Sequence, residues 1–218
     1  MDPICYIAGA QEPGELALAP GRPAFVIAAD GGLDHLERRG IGADLIVGDF
    51  DSLGRVPEGA NVVRHPEEKD DTDMLLAVKA GLRRGLRDFV LYGGLGGRLD
   101  HTLANLQTLV YLARQGGRGA LLGDGTAAAV LRCGRLDFPA GLAGVVSVFC
   151  PDGEARGVDL EGLYYPLRNA VLTSAFPLGV SNRFTGRPAA VSVREGTLLV
   201  MWDEPPAGVL AHLFGCSP

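Results

Sequence analysis

Asp44-Leu45-Ile46-Val47-Gly48-Asp49-Phe50-Asp51-Ser52 is the stretch whose reading decides the fold. Leu45, Ile46 and Val47 form a short apolar run closed by Gly48, the pattern of a strand buried on both faces of a parallel sheet. Asp49 and Asp51 follow at its carboxyl end. Residues two apart in extended chain point to the same side. Two carboxylates therefore converge at a strand mouth, where open α/β sheets bind ligands. Paired carboxylates repel unless a cation lies between them, and beside phosphates that cation is usually Mg²⁺. A polar turn closing a strand would use the same residues, so this stretch alone leaves both readings open.

Other short apolar runs flank it. Ile4–Ala8 reads as a first strand broken by Gly9, and Glu12–Arg22, with two prolines and two glycines, as connection. Ala24–Ala29 is a second buried strand ending in Asp30-Gly31-Gly32. Asp30 either caps the helix Leu33–Arg39 or faces a ligand, and capping is the commoner role for such a residue. Gly40 stops that helix. Asn61–Arg64 gives another strand, followed by His65-Pro66-Glu67-Glu68-Lys69-Asp70-Asp71-Thr72-Asp73. Leu75, Val78, Leu82 and Leu86 then mark one helical face. Capping and dipole stabilisation, about 0.3–1 kcal/mol per acid, explain one or two acids at a helix start. They explain Asp70, Asp71 and Asp73 together less well, because like charges so close oppose one another unless a cation is bound.

Asp88–Tyr92 is the next strand. Gly93-Gly94-Leu95-Gly96-Gly97 leads from it into Arg98-Leu99-Asp100-His101 and a helix to about Arg114, with Leu99, Leu103, Leu106 and Val110 expected on its buried face. A glycine-rich strand-to-helix turn lets backbone N–H groups approach phosphate oxygens. The turn lacks both the Gly-Lys-Ser/Thr ending of a P-loop and the dinucleotide-binding glycine spacing. Arg98 is the more informative residue. A cation at a helix start opposes the macrodipole, and a phosphate partner would account for it. His101 suits a helix-terminal hydrogen bond better than the role of base.

Ala120–Gly123 closes the alternating pattern, and the helical period then vanishes. Ala127–Leu131, Val145–Phe149, Val158–Leu160, Ala170–Leu172, Val191–Val193 and Thr197–Trp202 are extended candidates, with Arg194-Glu195-Gly196 as a hairpin-type turn. The expected architecture is an α/β domain with a mainly parallel sheet, residues 1–123, followed by an all-β sandwich, residues 124–218.

Composition narrows the class. Glycine, 32 of 218 residues, is about 15% of the chain against roughly 7% in average proteins. No collagen period accompanies it, so tight turns and close backbone approaches are implied. The net charge of −6 argues against general nucleic-acid binding. Cys5, Cys133, Cys150 and Cys216 have neither zinc spacing nor a disulfide framework and read as reduced thiols. No apolar run reaches transmembrane length, and Met1-Asp2-Pro3 lacks the basic segment of a secretory signal. A cytoplasmic protein is expected, with no nucleic-acid or membrane partner.

Ala29-Asp30-Gly31-Gly32, Gly48-Asp49-Phe50-Asp51-Ser52, Asp70-Asp71-Thr72-Asp73 and Gly93–His101 stand in the order found in the thiamine pyrophosphokinase family, which this chain resembles. Gly162-Leu163-Tyr164-Tyr165-Pro166-Leu167 and Val180-Ser181-Asn182 extend the resemblance through the β part, over roughly residues 4 to 202. Each motif alone is modest; the ordered set is specific. The resemblance implies the reaction thiamine + ATP → thiamine diphosphate + AMP with Mg²⁺, in a homodimer that binds thiamine between subunits. It implies Asp49, Asp51 and Asp73 as metal ligands, and Asp70 as an outer-shell or nucleophile-orienting group. Asp30, Arg98 and the Gly93, Gly94, Gly96 and Gly97 backbone fall with the ATP-binding residues. Asp100 would fix Arg98 or accept the hydroxyl proton. Tyr165, Ser181 and Asn182 would contact thiamine. The chain departs from the family at Ala43, where many members have proline, and at Tyr164, where a basic residue is frequent. The family has His or Gln at the position of His101, which counts against it as a base.

Two other classes fit parts of the pattern. A haloacid-dehalogenase-like phosphatase also has Asp-x-Asp after a strand, the first Asp being the nucleophile. It needs a lysine near a later acidic pair, and Lys69 and Lys79 are the only lysines. A non-catalytic nucleotide or thiamine sensor would bind both ligands without turnover.

Overall fold

The computed structural model describes residues 2–50, 53, 55–59, 61–66, 70–123 and 125–215. Six strands pair in parallel: β1 (Ile4–Ala8), β2 (Ala24–Ala29), β3 (Leu45–Gly48), β4 (Val62–Arg64), β5 (Asp88–Tyr92) and β6 (Arg118–Gly123), in the order β6-β5-β1-β2-β3-β4. Helices α1 (Gly32–Arg38), α2 (Asp73–Arg83) and α3 (Leu99–Arg114) connect them. The chain runs outward from β1 through β4, then returns to β5 on the other side of β1. That reversal opens a crevice at the carboxyl ends of β1 and β5, the usual ligand position in such sheets.

β1 shows why its sequence does not alternate. Ile4, Tyr6 and Ala8 enter one core while Cys5 and Ile7 enter the core on the opposite face. Both faces are covered, so every position is apolar. At the amino ends of the strands, Asp88 is gripped by Arg22 (2.8 Å) and Arg118 (2.7 Å). Burial pushes its carboxyl pKa up, but the hydrogen bonds from Arg118 and Arg22 prevail and hold it below its ordinary value.

Pairing turns antiparallel at β7 (Thr126–Phe138), which lies against β6. The remaining strands are β8 (Val145–Phe149), β9 (Glu154–Glu161), β10 (Leu167–Thr173), β11 (Gly179–Arg183) and β12 (Ala189–Asp203). The β part is not a separate sheet. β7 and β12 pair along their length and carry one hydrogen-bonded network through both parts. The first half of β12 then pairs with β9 and the second half with β8, so the network splits into two wings. Val146 and Val148 of β8 and Val158 and Leu160 of β9 enter one core with Trp202, where Phe138 meets Phe184 and Trp202 edge-on at 5.0 and 5.3 Å.

Three expectations need correction. Arg194-Glu195-Gly196 is not a hairpin turn but an irregularity inside β12, where the register with β7 shifts between Val193 and Thr197. Gly196 has φ of +101°, and a bulge and a turn ask for the same glycine. Helical structure does not end at Gly123: α4 (Pro206–Phe214) follows β12, with proline at its start and left-handed Gly215 at its end. In α3 the stripe Leu99, Leu103, Leu106, Val110 is not the buried face. Asn105, Thr108, Leu109 and Leu112 are buried instead, while Leu99 and Leu103 are 81% and 58% exposed.

Candidate active site

The site begins with sharp turns at the carboxyl ends of β2 and β3. Asp30 has φ of +47° and Phe50 φ of +68°, left-handed conformations that non-glycine residues adopt at a cost. The Asp30 N–H donates to the Val47 carbonyl at 2.8 Å, carrying the β2–β3 ladder past the strand end. A side chain on Gly48 would bring its Cβ to 3.1 Å from the Asp30 Cα, a contact tight enough that the Asp30 turn would have to shift by a few tenths of an ångström. Phe50 is buried in the core.

These turns bring Asp30 and Asp49 together, and α2 supplies the third acid. Carboxylate oxygens of Asp30, Asp49 and Asp73 lie within 4.8 Å of one another. Asp30 does not cap α1, whose N-cap is Gly31 without a side-chain bond. Nor do the acids cap α2. Thr72 does so, its Oγ1 accepting from the Leu75 N–H at 3.2 Å. Asp73 is thereby released to the cluster. Asp71 is not a member: both its oxygens take Lys79 Nζ, at 2.8 and 2.6 Å. Asp70 is exposed and outside the cluster. Asp51 lies outside the described residues. The donor set suits a hard divalent cation. It offers oxygens alone, and three carboxylates this close gain most from a charge that cancels their repulsion.

A cleft of about 170 Å³ opens beside the cluster, lined by Asp30 and Asp73, by Gly9, Ala10 and Gln11 after β1, and by Gly93, His101 and Asn105. Gly93 (φ +66°) cannot be replaced without strain, because an added Cβ would sit 2.4 Å from the Gln11 carbonyl oxygen. Asn105 Nδ2 donates to the Gly94 carbonyl at 2.9 Å and Thr102 Oγ1 to the Gly96 carbonyl at 3.2 Å. The glycine turn is thus anchored by the helix it opens. Arg98 stands at the N-cap of α3 with no side-chain cap bond. Its guanidinium pairs with Asp100 at 2.6 Å, and both side chains are exposed. The hydrogen bond from Arg98 holds the Asp100 carboxyl below the usual range. An ionised carboxylate so held is a better anchor for Arg98 than a proton acceptor.

The β-part residues form a second, separate group. Asn182 is 3% exposed. Its Oδ1 accepts from the N–H groups of Tyr165 (2.9 Å) and Arg183 (2.8 Å), and its Nδ2 donates to the Tyr165 carbonyl at 2.7 Å. It therefore shapes the Tyr165 loop. Tyr165 and Ser181 are exposed, and Tyr164 and Tyr165 meet edge-on at 4.8 Å. None of Tyr165, Ser181 and Asn182 lines the acidic cleft of the same chain.

Comparison with known proteins fits this two-part layout. Residues 21–118 match the family model described as thiamin pyrophosphokinase, catalytic domain. Residues 136–198 match the thiamin pyrophosphokinase vitamin B1 binding domain. The chain belongs to the thiamine pyrophosphokinase family. The thiamine pyrophosphokinase of Bacillus subtilis is 28% identical over 161 residues, covering 71% of this chain and 75% of the relative. Its crystal structure superposes with a TM-score of 0.78 at 24% identity, over 93% of this chain and 99% of that one. The enzyme from Geobacillus thermodenitrificans gives 0.76 at 25% identity, over 94% and 99%.

Gly9, Ala10, Gln11 and Asn105 line the cleft although the sequence reading gave them no role. One signal was available for the first three. They follow the carboxyl end of a buried strand beside the sheet's reversal point, where ligands bind.

Proposed function

We propose that this chain is a Mg²⁺-dependent thiamine pyrophosphokinase that converts thiamine and ATP into thiamine diphosphate and AMP. The observation that carries the reading is the convergence of Asp30, Asp49 and Asp73 beyond the carboxyl ends of β2 and β3, beside the cleft that Gly93 of the anchored glycine turn also lines. The thiamine hydroxyl oxygen attacks the β-phosphorus of ATP. The bond from that phosphorus to the α,β-bridging oxygen breaks, and the bridging oxygen leaves with AMP. Transfer of this kind asks for positioning and charge neutralisation more than for covalent chemistry.

Each residue then has a task. Asp30, Asp49 and Asp73, with Asp51 by motif, are the carboxylates that hold Mg²⁺. The bound ion supplies neutralisation of phosphate charge. Arg98 and the Gly93–Gly97 backbone hold phosphate oxygens, and Asp100 keeps Arg98 in place. Asp70 is an outer group on the nucleophile's side. Tyr165 and Ser181 offer an aromatic face and a hydroxyl to thiamine, whose cationic thiazolium suits an aromatic wall. Asn182 fixes Tyr165.

The working unit is a homodimer, with the α/β part, residues 1–123, of one copy facing the β part, residues 124–218, of the other. Three features support this. Tyr165 and Ser181 do not line their own chain's cleft. Leu99 and Leu103 expose an apolar stripe where α3 begins. Tyr164, Tyr165, Phe176, Leu178 and Val180 expose another in the β part. Each apolar surface would cover its counterpart's partner across a two-fold axis. The setting is cytoplasmic, in keeping with the free thiols of Cys5, Cys133 and Cys150. Among the described residues no helix is long and apolar enough to cross a membrane.

Product analysis by mass tests the reading. Protein, Mg²⁺-ATP and thiamine together should give AMP and thiamine diphosphate in equal amounts, and no AMP without thiamine. Phosphate release without thiamine would support the phosphatase alternative. Tight binding of both ligands with no product would support a sensor.

A further inference from the structure

The β1–β2 connection looks in sequence like a Pro- and Gly-rich linker, yet Gly9, Ala10 and Gln11 form one wall of the cleft. Two bonds tie this wall to the end of β5: the Gly9 N–H donates to the Tyr92 carbonyl (2.8 Å) and the Gln11 N–H to the Gly93 carbonyl (3.2 Å). The next attachments come from α1 and its C-cap residue, Arg39. His35, 7% exposed, donates from Nε2 to the Ala10 carbonyl at 2.9 Å. Its Nδ1 accepts from the Arg38 guanidinium, which agrees with the hydrogen residing on Nε2. Arg39 reaches Glu12 Oε1 at 2.6 Å and the Gly14 carbonyl at 2.9 Å, while Glu12 Oε2 lies 3.3 Å from His35 Nδ1 and 3.4 Å from Arg38. One short helix and its C-cap residue, Arg39, thus hold Ala10, Glu12 and Gly14 at alternate positions.

The same helix opens directly after Asp30, whose carbonyl accepts from the Leu33 N–H at 3.1 Å. At Gly32 an added Cβ would fall 1.8 Å from the Ala8 carbonyl oxygen, so α1 sits hard against the end of β1. Across the cleft, the Gln11 side chain packs where a Cβ on Gly97 would be, 2.4 Å from its Oε1. The spacing between the acid cluster and the glycine turn is therefore fixed through α1 and the wall it holds.

We propose that His35 is a positioning residue for the nucleotide: its bond to Ala10 sets the wall that frames the triphosphate of Mg²⁺-ATP. The inference rests on the ATP-dependent reading above. A leucine would fill this buried position with more apolar surface, but it would leave the Ala10 carbonyl without its donor. Losing that bond frees the wall at Ala10 from α1, and so from the acid cluster α1 follows, although its two bonds to the end of β5 remain; the thiamine contacts, in the β part, stay unchanged.

The test separates nucleotide from thiamine. In His35→Ala, calorimetry with Mg²⁺-ATP should show affinity weakened about tenfold, and KM for ATP should rise in parallel. KM for thiamine and kcat should stay within about twofold. His35→Gln, whose amide nitrogen can reach the Ala10 carbonyl, should recover most of the loss. Arg39→Met, at a half-exposed site outside the core, should weaken ATP in the same direction by less, and it provides the readout if His35→Ala does not fold. The proposal is overturned if ATP affinity is unchanged in the variants, if both substrates lose equally, or if the glutamine variant melts like wild type yet shows no recovery. A wild-type protein that binds Mg²⁺-ATP but makes no thiamine diphosphate would defeat the functional reading alone, since ATP affinity still reports on the wall.

Discussion

Helices α2 and α3 both lead back into the parallel sheet, and residues at the start of each line the same cleft. Their first turns are otherwise unlike. α2 is complete within the chain. Thr72 caps it, Asp71 is neutralised by Lys79, and Met74, Ala77, Val78 and Gly81 pack inward along its length. Gly81 allows the closest approach, since a Cβ there would fall 2.7 Å from the Phe89 ring. α3 is complete only from Asn105 onward. Before that its N-cap is an arginine without a cap bond, and its leucines face outward. A helix that tolerates a cation at its positive end and leucines in water is shaped for contacts that lie outside the folded chain. On the proposed reading these are a triphosphate for Arg98 and a second copy for Leu99 and Leu103.

The comparison breaks first at the acids. Asp49→Asn and Asp73→Asn should each lower kcat by about 10²–10³ while circular dichroism and melting stay near wild type, the usual loss when one electrostatic contact to a transition state is removed. Activity near wild type in both variants at saturating Mg²⁺ would remove the metal assignment. The α3 leucines come next. Leu103→Asp should weaken self-association by about a hundredfold, read by analytical ultracentrifugation. A buried leucine contributes about 1.5–3 kcal/mol, and an unpaired carboxylate in its place adds a penalty. Unchanged association would mean that the stripe serves the groove it forms with Phe149, Leu199 and Met201, not a second copy.

The leucines also show what the sequence could convey. The spacing of Leu99, Leu103, Leu106 and Val110 is a true helical stripe, but periodicity reports that a face is apolar and not what covers it. The buried stripe, Asn105, Thr108, Leu109 and Leu112, is half polar, because Asn105 spends its amide on the glycine turn. The parallel strands were legible because a strand covered on both faces must be continuously apolar. The acid turns were legible only in part, because a polar turn or a helix cap uses the same residues at a strand's carboxyl end. Asp30 reads as a cap until Gly31 is seen in that place. The β part hides its continuity. The sequence can place a break at Arg194–Gly196, but only pairing partners on both sides show that β12 runs through it. α4 is not legible in the sequence because Pro205 and Pro206 before a short apolar run resemble a tail more than a helix.

Arg98 tests the first turn of α3 directly. Arg98→Ala should raise KM for ATP about tenfold, the scale of one charge-assisted hydrogen bond, with KM for thiamine little changed. If ATP affinity and turnover both hold, Arg98 is a surface partner of Asp100 and nothing more.

The smallest effect gives the sharpest contrast between the two helices. Thr72→Ala removes the side-chain cap of α2 and should cost about 1 kcal/mol, or about 2–4 °C in Tm for a chain of this size. Asp73 would then compete for the freed N–H of Leu75, so a modest loss of activity should accompany the loss of stability. Arg98→Ser does the reverse at α3. It removes a cation from the positive end of the helix and installs a hydroxyl that can accept from an N–H of the first turn. The free protein should melt about 2 °C higher, yet ATP should stabilise it less than it stabilises wild type, because ligand stabilisation follows affinity. Opposite shifts in Tm from two N-cap substitutions, both with weaker ATP use, would show that α2 is capped for the fold and α3 is left uncapped for its ligand. A Tm that falls in both variants would show instead that Arg98, through Asp100, already stabilises its helix, and the contrast between the two first turns would lose its energetic basis.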